Sequence, residues 1–197
     1  MKILAILAHH NKTSFSARTF YAVVDHLRQQ GANVDVLDLY DRYKEIPFYF
    51  SQRLHTDEPS LPLLTDFPFF QENKERLMAA DRIFIVHPIY WSSVPGILKC
   101  WIDLITNYAW KYEGKKGAKP LHKITKAFVV NSSHVALWRR RYLDFNPARR
   151  QLEQLFDFIG IKDYDFYEIG NTGLLNQTKE TNHIEKIIVQ SGSFLLK

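Results

Sequence analysis

Residues 2–40 read KILAILAHHNKTSFSARTFYAVVDHLRQQGANVDVLDLY, and three changes of pattern inside them decide the fold. Lys2 to Ala8 is a near-continuous apolar run, the mark of a strand covered on both faces in a parallel sheet. The polar break HHNKTS follows. From about Ser14 to Gln30, Phe15, Ala17, Phe20, Val23, Val24 and Leu27 recur at helical spacing, and the helix stops at Gly31. Residues 34–40, VDVLDLY, alternate and are rich in Val and Leu, so a second strand returns after a crossover of βαβ length. These two strands are expected to lie side by side and parallel.

The same rhythm continues outward. Residues 69–80 read as a helix, RIFIVHP (82–88) as a buried strand ending near His87, and VPGILKCWIDLI (94–105) as a helix with Ile97, Leu98, Trp101, Ile102 and Ile105 on one face. KAFVVNS (126–132) is a fourth strand, PARRQLEQLFDFIG (147–160) a helix closed by Gly160, and DYDFYEI (163–169) a fifth strand. A last helix starts at about Lys179. Two stretches break the rhythm. Residues 41–65 carry Pro47, Pro59 and Pro62 with Phe48, Tyr49 and Phe50 and no sustained period, an excursion that compact domains keep for a lid or a subunit contact. Lys111 to Pro120 reads as a glycine and lysine loop. Five strands alternating with five helices specify an α/β fold, a doubly wound five-stranded parallel sheet with helices on both faces, in a single domain over 1–197.

With 46% hydrophobic and 24% charged residues in 197, the chain is long enough for one well-cored domain and lacks the composition of a disordered one. Lys and Arg number 26 against 21 Asp and Glu, and the excess is thinly spread apart from Arg139, Arg140, Arg141, Arg149 and Arg150. A mild positive field suits anionic small molecules and gives no reason to invoke nucleic acid. The Arg139 to Arg141 cluster reads either as a solvated basic turn or as a seat for a ligand phosphate. Cys100 is the only cysteine, which forbids a disulfide within the chain and fits a reducing compartment, and the eight histidines show no zinc-ligand spacing. Ile3 to Ala8 is too short for a signal peptide, and no run of about 18 apolar residues offers a membrane span. A cytoplasmic protein is expected.

In doubly wound sheets, ligands bind outside the carboxyl ends of the strands, where the strand order reverses. Three loops qualify. HHNKTSFS leads straight into a helix, so its backbone N–H groups and the hydroxyls of Thr13, Ser14 and Ser16 suit a phosphate, although Thr13 or Ser14 also reads as a simple N-cap. It has neither the G-x-G-x-x-G of dinucleotide folds nor the P-loop pattern. HPIYWSSVPG (87–96) puts Tyr90 and Trp91 beside a fixed backbone, either a slot for a flat ring or ordinary packing. NSSHVALWRRRY (131–142) is the third. No G-x-S-x-G elbow is present, and Cys100, inside a helix, reads as a small core residue.

AHHNKTSF (8–15) followed by HPIYWSSVPGILKCWID (87–103) resembles the flavodoxin-like NAD(P)H:quinone oxidoreductase family, over about Met1 to Gly170. The second block is specific, because Pro88, Trp91, Pro95, Leu98, Lys99 and Trp101 all fall at the family's spacing. The resemblance implies FMN or FAD held at these loops. It also implies ping-pong hydride transfer from NAD(P)H as co-substrate, through the flavin, to a quinone or similar acceptor. His9, Ser14 and Phe15 match the phosphate loop, with Ser16 where Asn is common. Pro88, Ile89, Tyr90 and Trp91 match the segment along the isoalloxazine. A homodimer with the site at the subunit interface is likewise implied, which would give Phe48 to Phe50 and the Trp101 helix a partner. The third loop departs from the family: Asn131, Ser132, Ser133 and His134 stand where relatives carry a T-T-x-G turn. His134 and Tyr142 are candidates for contact with the substrate. The alternatives are an ancillary quinone-reductase-like regulatory subunit and a flavodoxin-type electron carrier, the latter disfavoured by the positive charge.

Overall fold

The computed structural model describes residues 1–46, 67–114 and 117–197. The aromatic excursion at Phe48 to Phe50 lies outside the described residues, as does most of the segment from 41 to 65.

Strands β1 (Lys2–Leu7), β2 (Asn33–Asp38), β3 (Arg82–Pro88), β6 (Lys126–Ser132) and β7 (Asp163–Ile169) form one parallel sheet in the order β2-β1-β3-β6-β7. The order reverses at β1, which places the crevice between the loops that follow β1 and β3. Helices α1 (Phe15–Gln29), α2 (Pro68–Ala79), α3 (Gly96–Ile105), α5 (Pro147–Ile159) and α6 (Gln177–Leu195) cover the faces.

The apolar run of β1 is explained by the alternation of side chains across a strand. Ile3, Ala5 and Leu7 pack with Phe20, Val23 and Leu27 of α1 and Ile187 and Leu195 of α6. Leu4, Ile6 and Ala8 point the other way, into Leu77, Leu98, Leu152 and Phe156. Each buried aliphatic side chain contributes about 1.5–3 kcal/mol, and because both faces are covered no polar residue is tolerated between Ile3 and Ala8. Trp101 belongs to this core. It is 1% exposed, and its Nε1–H donates to Asn73 Oδ1 at 3.0 Å, so it needs no second subunit to cover it.

Three features differ from the sequence expectation. Lys111 to Pro120 is not a plain loop: Trp110–Tyr112 (β4) and Ala118–Pro120 (β5) pair antiparallel. A short helix α4 (Leu137–Tyr142) holds the Arg139 to Arg141 cluster that read as a turn. The last helix begins two residues early, at Gln177, where Asn176 accepts from the Lys179 N–H at 2.9 Å. Gly160 closes α5 as expected, with φ of +90°. A Cβ there would also lie 2.1 Å from Pro120 Cγ, so the hairpin packs where the helix ends.

Candidate functional site

The first loop is a folded turn that presents a helix end. Asn11 Oδ1 accepts from both the Thr13 N–H and the Thr13 hydroxyl at 2.8 Å, which ties up Thr13. Ser14 is the N-cap, its Oγ accepting from the Ala17 N–H at 3.1 Å. The N–H groups of Phe15 and Ser16 have no acceptor inside the helix, and no acidic residue occupies the first turn. Capping and anion binding are therefore compatible here, because the cap uses one donor and leaves two pointing outward at the positive end of the helix dipole.

The second loop is pinned to the third by the Ile89 N–H, which donates to the Ser132 carbonyl at 2.8 Å. It then turns sharply. Tyr90 and Ser93 exchange two backbone bonds of 3.0 Å, and Trp91 and Ser92 between them have φ of 48° and 63°. This is a two-residue turn of the primed type, normally built from Asn-Gly. Trp91 is thereby aimed away from the sheet and is fully exposed, so it does not wall the crevice. Tyr90 does, with its hydroxyl 3.4 Å from His10 Nδ1. Left-handed backbone costs roughly 1–2 kcal/mol at each ordinary residue, so Trp91→Asn with Ser92→Gly is expected to stabilise the protein by about 1–2 kcal/mol. A higher urea midpoint at unchanged slope checks it, and an unchanged or lower midpoint refutes it.

In the third loop Ser132 is the junction. Its hydroxyl lies 2.8 Å from that of Ser16, so one residue contacts the first loop by its side chain and the second by its carbonyl. The Ser133 N–H donates to the Ile169 carbonyl at 2.9 Å, and the Ser133 carbonyl accepts from the Thr172 N–H at 3.0 Å and the Thr172 hydroxyl at 3.0 Å. No residue from Asn131 to His134 is left-handed, so the absence of glycine in this loop costs the backbone nothing. The glycine that local packing needs is Gly170, where a Cβ would fall 2.4 Å from the Leu137 nitrogen.

These loops enclose a cavity of about 430 Å³, within the range of small-molecule sites. The first loop brings His9, Ser14, Phe15 and Ser16 to its wall. Pro88, Ile89 and Tyr90 come from the second, and Ser132, Ser133 and His134 from the third. Three expected residues are elsewhere. Trp91 faces solvent, Tyr142 is 75% exposed on α4, and the buried Asn131 turns its side chain to Arg140 and Glu168. Four wall residues escaped the sequence reading: His10, Asn11, Thr172 and Glu180. The last two belong to the segment after β7, another carboxyl strand end, so the rule that selected the other loops would have selected it too.

The side chains near α1 add little net charge, so the helix dipole is the main attraction for an anion there. Burial and the neighbouring His10 lower the His9 pKa, and the two rings stack with centroids 5.0 Å apart. Arg18 Nη2 lies 2.5 Å from Glu180 Oε2 and offsets the carboxylate on the wall. Arg140 is not free for a ligand phosphate, because it is 4% exposed and bound to Glu168 at 2.8 Å. A larger groove of about 730 Å³, lined by Tyr167, Val189 and Phe194, contains none of these loops. Among the described residues no group of His, Cys, Asp and Glu could hold a metal ion, and no helix is long and apolar enough to cross a membrane.

A family model described as flavodoxin-like fold matches residues 1–190. An uncharacterised NAD(P)H oxidoreductase of Haemophilus influenzae is 23% identical over 189 residues, covering 94% of this chain and 91% of that protein. Ribosyldihydronicotinamide dehydrogenase [quinone] of Mus musculus is 31% identical over 117 residues, 53% of this chain and only half of that relative. Among solved structures, an FMN-dependent NADH-azoreductase of Bacillus anthracis in complex with FMN superposes with a TM-score of 0.76 at 21% identity, covering 100% of this chain and 99% of that one.

Proposed function

The chain belongs to the flavodoxin-like fold family, and on that premise we propose that it is a flavin-dependent NAD(P)H oxidoreductase that passes a hydride to a quinone or similar acceptor. One observation carries the reading: a single cavity joins two outward N–H groups at the α1 N-terminus to the backbone and ring of the Ile89–Tyr90 turn. That donor set fits FMN, or the FMN half of FAD, with phosphate at one end and a flat ring at the other. Phe15 and Ser16 would bind the phosphate through their N–H groups and Ser14 through its hydroxyl. Tyr90 and the Ile89 backbone would flank the ring, and at its polar edge Ser133, whose hydroxyl donates to the Val135 carbonyl, would act as an acceptor, with Ser132 beside it. A flavin held there would supply the chemistry, hydride transfer from the nicotinamide and on to the acceptor. His134, on the cavity wall with its ring against Gly173, is the residue we propose to meet an acceptor. Tyr142 is a weaker candidate, being outside the wall. The activities named for the relatives support the class of reaction, and the proposal extends to a cytoplasmic homodimer.

The purified protein is expected to be yellow, to release FMN or FAD on denaturation, and to reduce a benzoquinone with NADH or NADPH. Colourless protein that takes up neither flavin on titration overturns the reading.

A further inference from the structure

Behind the third loop lies a buried polar cluster that contributes nothing to the cavity wall. At its centre is Glu168, near the carboxyl end of β7, with its carboxylate fully buried. Oε1 accepts from Arg140 Nη2 at 2.8 Å, Asn146 Nδ2 at 2.6 Å and Asn131 Nδ2 at 3.3 Å. Oε2 accepts from Arg141 and Arg149, each at 3.3 Å. Burial pushes the carboxyl pKa up, but the bond from Asn146, the charge of Arg140, the bond from Asn131 and the charge of Arg149 outweigh it and hold it low. Arg140 also donates to Asn131 Oδ1 at 2.9 Å, closing a triangle around the residue that precedes Ser132.

Each arm of the cluster ends on a piece of the site's scaffold. Asn131 immediately precedes Ser132, which touches both other loops. Arg140 lies on α4, which follows His134. Asn146 starts α5 with φ of 48°, directly after Phe145 at 54°, and two consecutive left-handed residues need something to hold them. The Glu168–Asn146 bond does so. Two residues beyond Glu168, Gly170 accepts the start of α4 at close range, and Ile169 accepts the Ser133 N–H.

We infer that Glu168 is the positioning residue of the flavin site: through Asn131 and Arg140 it sets where Ser132 and Ser133 stand, and so sets flavin affinity without touching the ligand. The inference rests on the flavin reading above. Glu168 resists rearrangement, because losing its bond to Arg140, Asn131 or Asn146 leaves a buried donor unpaired, while the partly exposed Arg141 and Arg149 can turn to water. The third loop lacks a glycine turn of its own and takes its shape from this anchor.

The test compares Glu168→Gln with Leu152→Ala, a core substitution in α5 whose side chain belongs neither to the polar cluster nor to the cavity wall, titrating apoprotein with FMN well below both melting temperatures. Glu168→Gln should weaken FMN binding about tenfold, the effect of one or two misplaced hydrogen bonds, while Leu152→Ala stays within about twofold of wild type. Amide exchange gives a second readout that needs no flavin: Ile89 and Ser133 should lose protection in Glu168→Gln and keep it in Leu152→Ala. If Glu168→Gln does not fold because Arg140 is left unpaired, Glu168→Gln with Arg140→Met removes both charges and is read the same way. Affinity and loop protection equal to the Leu152→Ala control overturn the inference. If wild type binds no flavin, the functional reading fails on its own, and the exchange comparison still decides whether Glu168 positions the loops.

Discussion

Ser14→Asp protein is expected to purify folded and colourless. Asp is as good an N-cap as Ser, and it can accept the Ala17 N–H that Ser14 now accepts at 3.1 Å, so α1 and the far-ultraviolet circular dichroism should be unchanged. The new carboxylate would stand beside the two N–H groups proposed to bind phosphate. Two unit charges about 4 Å apart in a partly buried site repel by about 4 kcal/mol, which weakens binding by about three orders of magnitude. The helix dipole stabilises the carboxylate itself but does nothing for its repulsion of a second anion. Ser14→Asn is the control, keeping the cap without the charge, and its affinity should fall by no more than about tenfold, the loss of the one hydroxyl bond. Flavin retained at wild-type stoichiometry in Ser14→Asp would remove the phosphate from this loop.

The parts of this molecule that were legible in advance are those where one local pattern has one physical meaning. The run from Ile3 to Ala8 could be read because a strand buried on both faces has no alternative composition, and Ser14 because capping is a one-turn interaction. Trp91 was misplaced because its direction is set by a left-handed pair, Trp91 and Ser92, in a turn whose usual sequence signal is Asn-Gly. Nothing in Tyr-Trp-Ser-Ser announces it. Asn131 reads as a crevice residue by its position at the carboxyl end of β6, yet its side chain turns inward to a glutamate 37 residues later. That direction is decided by a pairing of distant residues that no window of sequence contains. Helix α4 has six residues, too few for a period to show, and this is why the arginine cluster read as a turn when one of its members is a buried structural cation.

Acid should destabilise this protein well before its carboxylates protonate, and His87 is the largest single reason. It lies at the carboxyl end of β3, 0% exposed, with Nδ1 donating to the Pro88 carbonyl at 2.9 Å and Nε2 without a partner among the described residues. Burial lowers its pKa to about 4 and the nearby Arg140 adds to the effect, against the bond to Pro88 and the charge of Glu168. In the unfolded chain the ring takes a proton near 6.5. Stability is therefore complete above pH 6.5, falls as the unfolded state gains a proton the folded state refuses, and levels off near pH 4. The whole loss is about 3 kcal/mol. His9, His122 and His183 are lowered too, each chiefly by burial, and add in the same direction. The carboxylates act later: Glu168 is held below the ordinary 4.5 and Glu72 at about 2, so their contributions disappear as pH falls through those lower values. Denaturant titrations at several pH values between 6.5 and 4.5 are thus dominated by the histidines, and the carboxylates, which begin to contribute near the lower end, cancel when two variants with the same carboxylates are compared. His87→Asn keeps a donor for the Pro88 carbonyl and cannot titrate, so whatever it costs in packing at neutral pH, its stability should fall with pH by about 2 kcal/mol less than wild type across that interval. Parallel curves for the two proteins would mean that His87 accepts its proton in the folded state, and that the polar floor beneath the second and third loops is wet.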